Sequence, residues 1–302
     1  MDFVNVCGIL VTFNRLEKLK KTINAYDSQK YSVKSLVIID NASTDGTKEF
    51  LDEWQKEEAS YKKVVVHMET NTGGSGGFTK GIEVALKEDV EWVYLSDDDA
   101  YLTDEALTVF NDSPIVKGKG YDIVCGEVDS PDGISYFHRR KSSLTRYNFY
   151  EVDSTKEDYD KDYFEMDLFS FVGVFIRKSC ILDVGLPMKD YFIWYDDTEY
   201  SYRLTRKHKA VCIPKIKIYH DCKMADIVFC WKNYYGYRNK LDALKRNFPI
   251  RYYRYFKNAL YISSLLDIFK NKKKRKVKRD AIKAAKKGIL GISEKYKPGT
   301  KI

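Results

Sequence analysis

Short apolar runs alternate with helically spaced stretches along the first hundred residues. VNVCGILVTF (residues 4–13) is apolar and β-rich and predicts a buried strand. NRLEKLKKTINAYDSQ follows with Leu16, Leu19 and Ile23 at helical spacing. SLVIID (35–40) predicts a second buried strand, closed by the polar cluster NASTDGT, where Thr44 or Asp45 is placed to cap the next helix, KEFLDEWQKEE. KVVVHM (63–68) predicts a third strand, NTGGSGGF (71–78) a glycine loop, FTKGIEVALKE a helix, and EWVYLSDDDA (91–100) a fourth strand ending in three aspartates. Strands alternating with helices predict a parallel sheet with helices on both faces, and such sheets bind ligands at the carboxyl ends of their strands. Asp40, the glycine run and the aspartate triplet all fall at those ends.

The middle of the chain is less regular. DSPDG (129–133) predicts a turn, and the acidic stretch 151–164 a surface loop. Residues 167–185 return to strand, turn and helix, residues 191–209 to a loop leading into a helix, and AVCIPKIKIYHD (210–221) to a strand. From about residue 226 the pattern is helical and aromatic and then strongly basic, so the expected division is a body of 1–225 and a helical region of 226–302. No internal repeat is present in the sequence.

Composition narrows the class. With 302 residues, 44% hydrophobic and 32% charged, the chain can bury a substantial core and has a folded rather than a disordered composition. No apolar run reaches the roughly 18 to 20 residues of a spanning helix. Met1-Asp2-Phe3 leads into the first strand without a basic start, the pattern expected where no secretory leader is present. Six scattered cysteines (Cys7, Cys125, Cys180, Cys212, Cys222 and Cys230), mostly in apolar runs and without a C-x-x-C, are expected to be reduced, which points to the cytoplasm. The net charge of +8 hides an asymmetry: residues 245–302 carry 19 Lys/Arg against 3 Asp/Glu, whereas the rest carries 33 against 41. A basic tail on an acidic body implies an anionic partner, membrane lipid or nucleic acid.

Three constellations carry candidate chemistry. Along a strand, Asp97 and Asp99 face the same way, and two carboxylates on one side suit Mg²⁺ or Mn²⁺. A solvated turn with capping aspartates is the plain alternative. WYDDTEY offers Asp196, Asp197 and Glu199 beside Trp194 and Tyr195. A carboxylate at a helix start serves either as a general base, its pKa raised by aromatic walls and neighbouring acids, or as an ordinary helix cap. The Trp194 ring is suited to stacking on a sugar face. KIYHD places His220 at a strand end, a position more often structural than ligating. NTGGSGGF is neither a P-loop nor G-x-G-x-x-G; four glycines in six positions permit close backbone approach to a ligand such as a phosphate, or simply tight turns.

Taken together, VTFNR, VIIDNASTDGT, SDDDA and YDDTEYSYRL, in that order across roughly residues 4–222, resemble the inverting, nucleotide-sugar-dependent glycosyltransferase family two with its GT-A fold, a mostly parallel mixed α/β sheet flanked by helices. FVGVFIRKSCILDVGLP resembles the segment that precedes the catalytic base of that family. NTGGSGGF with DDD, W-x-D-D-x-E-Y and the later histidine is most similar to the galactofuranosyltransferase branch, and rhamnosyltransferases share much of the pattern. The resemblance implies a catalytic domain over 1–225, with the nucleotide-sugar half over about 1–100 and the acceptor half over 101–225. It implies donor binding by Thr12, Asn14, Arg15 and Asp40, the last on the uracil or ribose side. Asn71, Gly73, Gly74, Ser75, Gly76 and Gly77 would line the diphosphate and sugar, with Asp97 and Asp98 beside them. Asp97, Asp99 and His220 correspond to the ligands of Mn²⁺ or Mg²⁺, Asp197 to the catalytic base with Asp196 as its rival, and Trp194, Tyr195 and Glu199 to the acceptor site. The chain departs from the pattern in one place, reading W-Y-D-D where the galactofuranosyl motif reads W-D-D.

The expected activity is transfer of a sugar, galactofuranose from UDP-galactofuranose first among them, to a glycan or lipid-linked glycan, by an enzyme adding one or few residues. Another hexosyl- or rhamnosyltransferase, a nucleotidyltransferase, and a non-catalytic glycan- or lipid-binding module are the other readings. Leu260, Leu265, Leu266, Ile268 and Phe269 are expected to form an apolar stripe beside the seven positive charges of 272–279, suited to docking on the inner face of the cell membrane. Packing onto the body or a dimer contact is the alternative use of that region. Nothing in the chain resembles a nucleic-acid module.

Overall fold

Residues of a strand point alternately to opposite faces, so a strand buried on both faces must be apolar throughout. The first strands obey this rule. In β1 (Val6–Thr12) and β2 (Ser35–Asp40), Leu10, Leu36 and Ile38 enter one core cluster, and Ile9, Val37 and Ile39 enter the other. The computed structural model describes residues 4–222 and 229–302, with the side chains of 269 and 270 also outside the description; Met1-Asp2-Phe3, the boundary expected near 225 and the Phe269 side chain therefore lie outside the described residues.

Between these strands lies α1 (Leu16–Asp27), and after them come α2 (Thr47–Trp54), β3 (Lys62–His67), α3 (Gly73–Ala85), β4 (Trp92–Asp97) and the short β5 (Ala100–Leu102). Next are α4 (Ala106–Asp112), α5 (Pro114–Lys117), β6 (Ile123–Ser130), β7 (Gly133–Ile134), β8 (Arg139–Leu144) and β9 (Phe149–Asp153). Then follow α6 (Lys156–Tyr159), β10 (Phe164–Met166), β11 (Leu168–Phe169), β12 (Val174–Arg177), α7 (Lys178–Val184), α8 (Asp196–Thr205) and β13 (Ala210–His220). Three helices, α9 (Lys232–Asn247), α10 (Ile250–Lys270) and α11 (Lys272–Lys287), close the chain.

The main sheet runs β10-β13-β6-β12-β4-β1-β2-β3. The pairs β4–β1, β1–β2, β2–β3 and β6–β13 are parallel, while β12 lies antiparallel between β4 and β6. The sheet is therefore mixed and mostly parallel, as expected. A separate three-stranded sheet, β11-β8-β9, forms beside it.

Three local expectations change. The acidic stretch 151–164 is not one loop: it holds the end of β9, the helix α6 with a capping box at Thr155, and the start of β10. The glycine run is not a loop either, because α3 begins at Gly73. The helix needs these glycines for close packing. A Cβ on Gly77 would lie 2.4 Å from Val11 Cγ1, and one on Gly81 2.4 Å from Ile9 Cγ2, so α3 rests directly on β1. Nor do the leucines of α10 form a single stripe. Leu260 is 5% exposed and packs with Leu241 and Ile282, whereas Leu266 is 69% exposed. Six residues at 100° each turn the helix through most of two revolutions and leave these two on different sides.

The three C-terminal helices pack onto one another and onto the body. Phe192 shares a core with Tyr234, Tyr235, Val277, Ala281 and Tyr296. Among the described residues no helix is long and apolar enough to cross a membrane.

Gly81→Ala should lower unfolding stability by about 1–3 kcal/mol through overpacking against Ile9. Gly74→Ala, whose Cβ meets nothing within 4 Å, should be neutral or stabilising by up to about 1 kcal/mol. Urea titration of both variants checks the contrast, and equal effects would show that contact with β1 does not set the glycine requirement.

Candidate active site

The site grows from the carboxyl ends of β4, β1 and β13. β4 stops at Asp97, and Asp98 and Asp99 make the turn into β5. The common orientation of Asp97 and Asp99 is therefore a product of the turn and not of strand alternation. β5 pairs antiparallel with β13 in a register that sets Ala100 opposite His220. That register brings the imidazole to Asp99, with Nε2 3.3 Å from Oδ1, and the Asp221 amide donates to the Asp99 carbonyl at 2.8 Å. Ligand atoms of Asp97, Asp99 and His220 all lie within 4.8 Å of one another. Two hard carboxylates and an imidazole at that spacing fit a divalent ion such as Mn²⁺ or Mg²⁺.

Burial dominates the electrostatics. It raises the pKa of Asp97, which also feels His220, Asp99, Arg15 and, farther off, Asp197. It pushes Asp98 up to about 7 even though Arg15 and the Thr12 hydroxyl favour the ionised form. Burial acts on Asp99 in the same direction, but His220, Arg15 and Lys18 together outweigh it and hold Asp99 at about 2. The cations are in place: Arg15 lies 3.1 Å from Asp98 and 3.0 Å from Asp99, and Lys18 lies 3.1 Å from Asp99. Thr22, one helical turn beyond Lys18, donates to the Asp98 carbonyl at 2.6 Å. One face of α1 therefore supports the aspartate turn.

The other donor-side positions are largely engaged with the protein. Thr12 Oγ1 donates to Asp98 at 2.7 Å. Asn14, at φ 54°, accepts from the Thr44 amide at 2.7 Å. Asp40 is buried; it accepts from the Ser43 amide at 2.9 Å and pairs with His67 Nδ1 at 2.8 Å, so its reach toward a nucleotide is restricted. The glycine run differs most from expectation. Asn71 Oδ1 accepts from the Gly73 amide, the site of a Cβ on Gly73 falls 1.9 Å from the Phe192 carbonyl oxygen, and that of Gly76 falls against the Thr72 side chain. Ser75 is fully buried; its amide donates to Phe192 O at 3.3 Å, and its hydroxyl lies beside Asp196 without a well-aligned hydrogen bond. These residues press α3 onto β1 and the 190–195 segment rather than lining an open cleft, with Gly74 the exception in having free space around it. An open cleft of about 420 Å³ at this edge is lined by Asn14, Arg15, Leu16, Glu17, Lys18 and Asp45.

Before α8, Phe192, Trp194 and Tyr195 have φ of 68°, 63° and 74°. Each such left-handed non-glycine residue costs about 1 kcal/mol or more, and the bend they make aims the first turn of α8. Asp197 is half-buried, and its Oδ1 accepts from the Thr198 amide at 2.5 Å and the Thr198 hydroxyl at 3.1 Å. Burial raises its pKa, partly opposed by Arg140. Asp196 is buried, and desolvation together with the Asp197 charge pushes it up to about 7. Trp194 is 37% exposed, with its ring over Gly236.

Tyr195 and Glu199 depart from an acceptor-facing role. The Tyr195 hydroxyl turns inward and donates to Glu151 at 3.1 Å. Glu199 is 2% exposed and is held by Arg203 Nε at 2.8 Å and Asn247 Nδ2 at 3.0 Å. At the fourth position of α8 it faces α9 instead of the cleft. Sequence reading also missed the support of the acids: Arg140, which reaches Glu151 at 2.6 Å and the Thr198 hydroxyl at 3.1 Å, and Lys240, which reaches Glu151 at 3.0 Å. Lys18 had a usable signal, since Lys18 and Thr22 share a helical face one turn beyond Arg15, the residue that precedes α1. Arg140 and Glu151 had none, because their meeting depends on the β8–β9 register.

A second group with ligand spacing, Asp122, Cys180 and His208, sits at the opposite end of the sheet. Both imidazole nitrogens there already face carboxylates, Asp122 at 3.4 Å and Asp183 at 3.0 Å, so the ring is occupied by hydrogen bonding within the protein.

Comparison with known proteins bears on the family and the fold. The chain is 25% identical over 203 residues to the galactofuranosyltransferase GlfT1 of Mycolicibacterium smegmatis, covering 67% of this chain and 65% of the relative. It is 24% identical over 267 residues to GlfT2 of the same organism, covering 78% of this chain and 40% of the relative. It thus spans less than two thirds of the length of either. Among solved structures, GalNAc-T7 with UDP, GalNAc and Mn²⁺ superposes with a TM-score of 0.65 at 15% identity, over 95% of this chain and 57% of that one. Residues 1–349 of S. aureus TarS superpose with a TM-score of 0.58 at 15% identity, over 93% of this chain and 81% of that one. These likenesses fix the fold as GT-A. The family model for glycosyl transferase family 2 matches residues 8–182, more than half of the chain, and takes in the β1, β2 and aspartate-turn motifs from which the site is built, so the chain belongs to glycosyl transferase family 2.

Proposed function

We propose that the chain is an inverting, metal-dependent glycosyltransferase that moves galactofuranose from UDP-galactofuranose to a hydroxyl of a lipid-linked glycan. One observation carries the reaction class: Asp97, Asp99 and His220 gather within 4.8 Å of one another at the sheet edge. The choice of donor sugar is supported by the GlfT1 and GlfT2 relatives.

Asp97, Asp99 and His220 would hold Mn²⁺ or Mg²⁺, and a divalent ion there neutralises charge developing on a departing nucleoside diphosphate. The chain's own residues do the rest. Arg15 and Lys18 supply fixed positive charge on the donor side of the aspartate turn. Asp197 is the base that takes the proton of the attacking acceptor hydroxyl. It is preferred over Asp196 because it is the more exposed of the two and has one carboxylate oxygen clear of Thr198, whereas Asp196 is turned toward Ser75. Trp194 supplies an exposed apolar ring for the acceptor sugar. Membrane docking on the cytoplasmic face is supported by exposed Ile262, Leu265 and Leu266 on α10 close in sequence to exposed Lys272, Lys273 and Lys276.

A screen of sugar nucleotides with a lipid-linked acceptor should give UDP release fastest with UDP-galactofuranose. EDTA should abolish release, and added Mn²⁺ or Mg²⁺ should restore it. Faster turnover of another sugar nucleotide would refute the donor assignment, and full activity in EDTA the metal assignment.

Asp197→Asn should slow turnover by about 10²–10⁴-fold while UDP affinity stays within about threefold. Asp197 works only when ionised, and burial raises its pKa. Wild-type kcat/KM should therefore rise with pH through a limb lying above the ordinary aspartate value of about 3.9, and that limb should vanish in Asp197→Asn. A variant that keeps most of its turnover would remove Asp197 from this role.

Flotation with vesicles containing anionic lipid should recover the protein, and Leu265→Glu with Leu266→Glu should reduce recovery several-fold. Equal recovery of variant and wild type would show that this face does not meet lipid.

A further inference from the structure

We propose that Asn239 and Arg238 of α9 are positioning residues for the catalytic acids: they hold the 190–195 segment by its backbone carbonyls and thereby aim Asp196 and Asp197. The proposal rests on the assignment of those acids given above.

The segment bends through left-handed backbone at Phe192, Trp194 and Tyr195. Such a run persists only where its surroundings over-determine it. The bend turns three carbonyls toward one side chain. The two N–H groups of Asn239 Nδ2 are shared among Tyr191 O at 3.0 Å, Ile193 O at 3.1 Å and Trp194 O at 2.7 Å. Arg238 fixes that amide: its Nε donates to Asn239 Oδ1 at 2.9 Å, which leaves the NH₂ end pointing at the segment. The same guanidinium donates to Tyr191 O at 2.9 Å and to Gly291 O at 2.6 Å. Both residues are buried, Arg238 at 1% and Asn239 at 0% exposure. Among the described residues Arg238 pairs with no carboxylate; it lies against the Tyr234 and Tyr235 rings. A buried cation whose NH1 and NH2 groups donate to backbone carbonyls fixes the path of the chain that carries them.

The opposite side of the segment is closed by α3. Phe192 O accepts the Ser75 amide, and Gly73 leaves just enough room for the Phe192 carbonyl. The segment is thus pinched between the start of α3 and α9, and it ends at Tyr195, the residue before the first turn of α8 with its two aspartates. Carbonyl contacts are blind to side-chain identity, so α9 sets the direction of the acids through the backbone that leads into them. The C-terminal helices are then part of the active-site framework.

Asn239→Ala removes the donors, and Asn239→Ser keeps one in a smaller side chain and preserves folding if alanine does not. Each variant is measured for turnover rate, for UDP affinity, and for backbone hydrogen exchange. Turnover should fall by roughly 30-fold or more in Asn239→Ala, as misplacement of a reacting group would cause, and by an intermediate factor in Asn239→Ser, with UDP affinity within about threefold of wild type. Exchange protection should be lost over 190–197 and kept in β1 and β4. Turnover within about threefold of wild type, or loss of UDP binding and of β1 and β4 protection together with turnover, would overturn the positioning role. Hydrogen exchange needs no substrate, so it tests the clamp even if no sugar nucleotide is turned over, the outcome that would instead refute the proposed activity.

Discussion

Three successive carboxylates at the end of β4 are packed into the protein, where their mutual repulsion and the loss of water both work against charge. The rest of the site answers that constraint. α1 brings Arg15 and Lys18 to Asp98 and Asp99 on one side, and β13 brings His220 to Asp99 on the other. The result divides neighbours by protonation, with Asp98 pushed up to about 7 and Asp99 held at about 2. Divalent-ion chemistry suits such a place, because the groups that would ligate an ion are already gathered by the strand pairing.

The second acidic pair is governed by backbone rather than by charge. Asp196 and Asp197 begin α8 after a bend that no glycine eases, and that bend is held from two directions. α3 approaches closely because Gly73 lacks a Cβ; α9 approaches with a side-chain amide whose orientation is set by Arg238. Around the acids, Arg140, Glu151, Tyr195 and Lys240 form a connected set of ion pairs and hydrogen bonds. Burial raises the pKa of Asp197; Arg140 and the Thr198 hydrogen bonds partly offset it, and Glu151 adds to it.

The C-terminal region shows how one composition supports two uses. Its apolar residues are shared between a core that locks α9, α10 and α11 to the body and an exposed patch at Ile262, Leu265 and Leu266. Leu260 and Leu266 are alike in chemistry and opposite in environment, and periodicity along a helix with little net amphipathicity does not distinguish them.

Much of the architecture was legible in the chain. The apolar runs ending at Thr12, Asp40 and Asp97 could only be strands buried on both faces, and their polar ends marked one edge of a sheet. The acids, the imidazole and the basic tail were visible as residue types. Their arrangement was not. Glu199 looked like Asp197 in sequence, yet helix rotation turns it into the interface with α9. The glycines looked like a ligand loop, yet the contact that excludes a Cβ is with Val11 and Phe192. Asn239 and Arg238 carried no signal at all, because their partners are backbone carbonyls, and a carbonyl has no identity in a sequence. Local pattern determined which segments are strands and helices and which chemistry the chain carries, since burial and period are properties of neighbouring residues. Strand register and helix rotation decided which groups meet, because those depend on contacts between segments far apart along the chain.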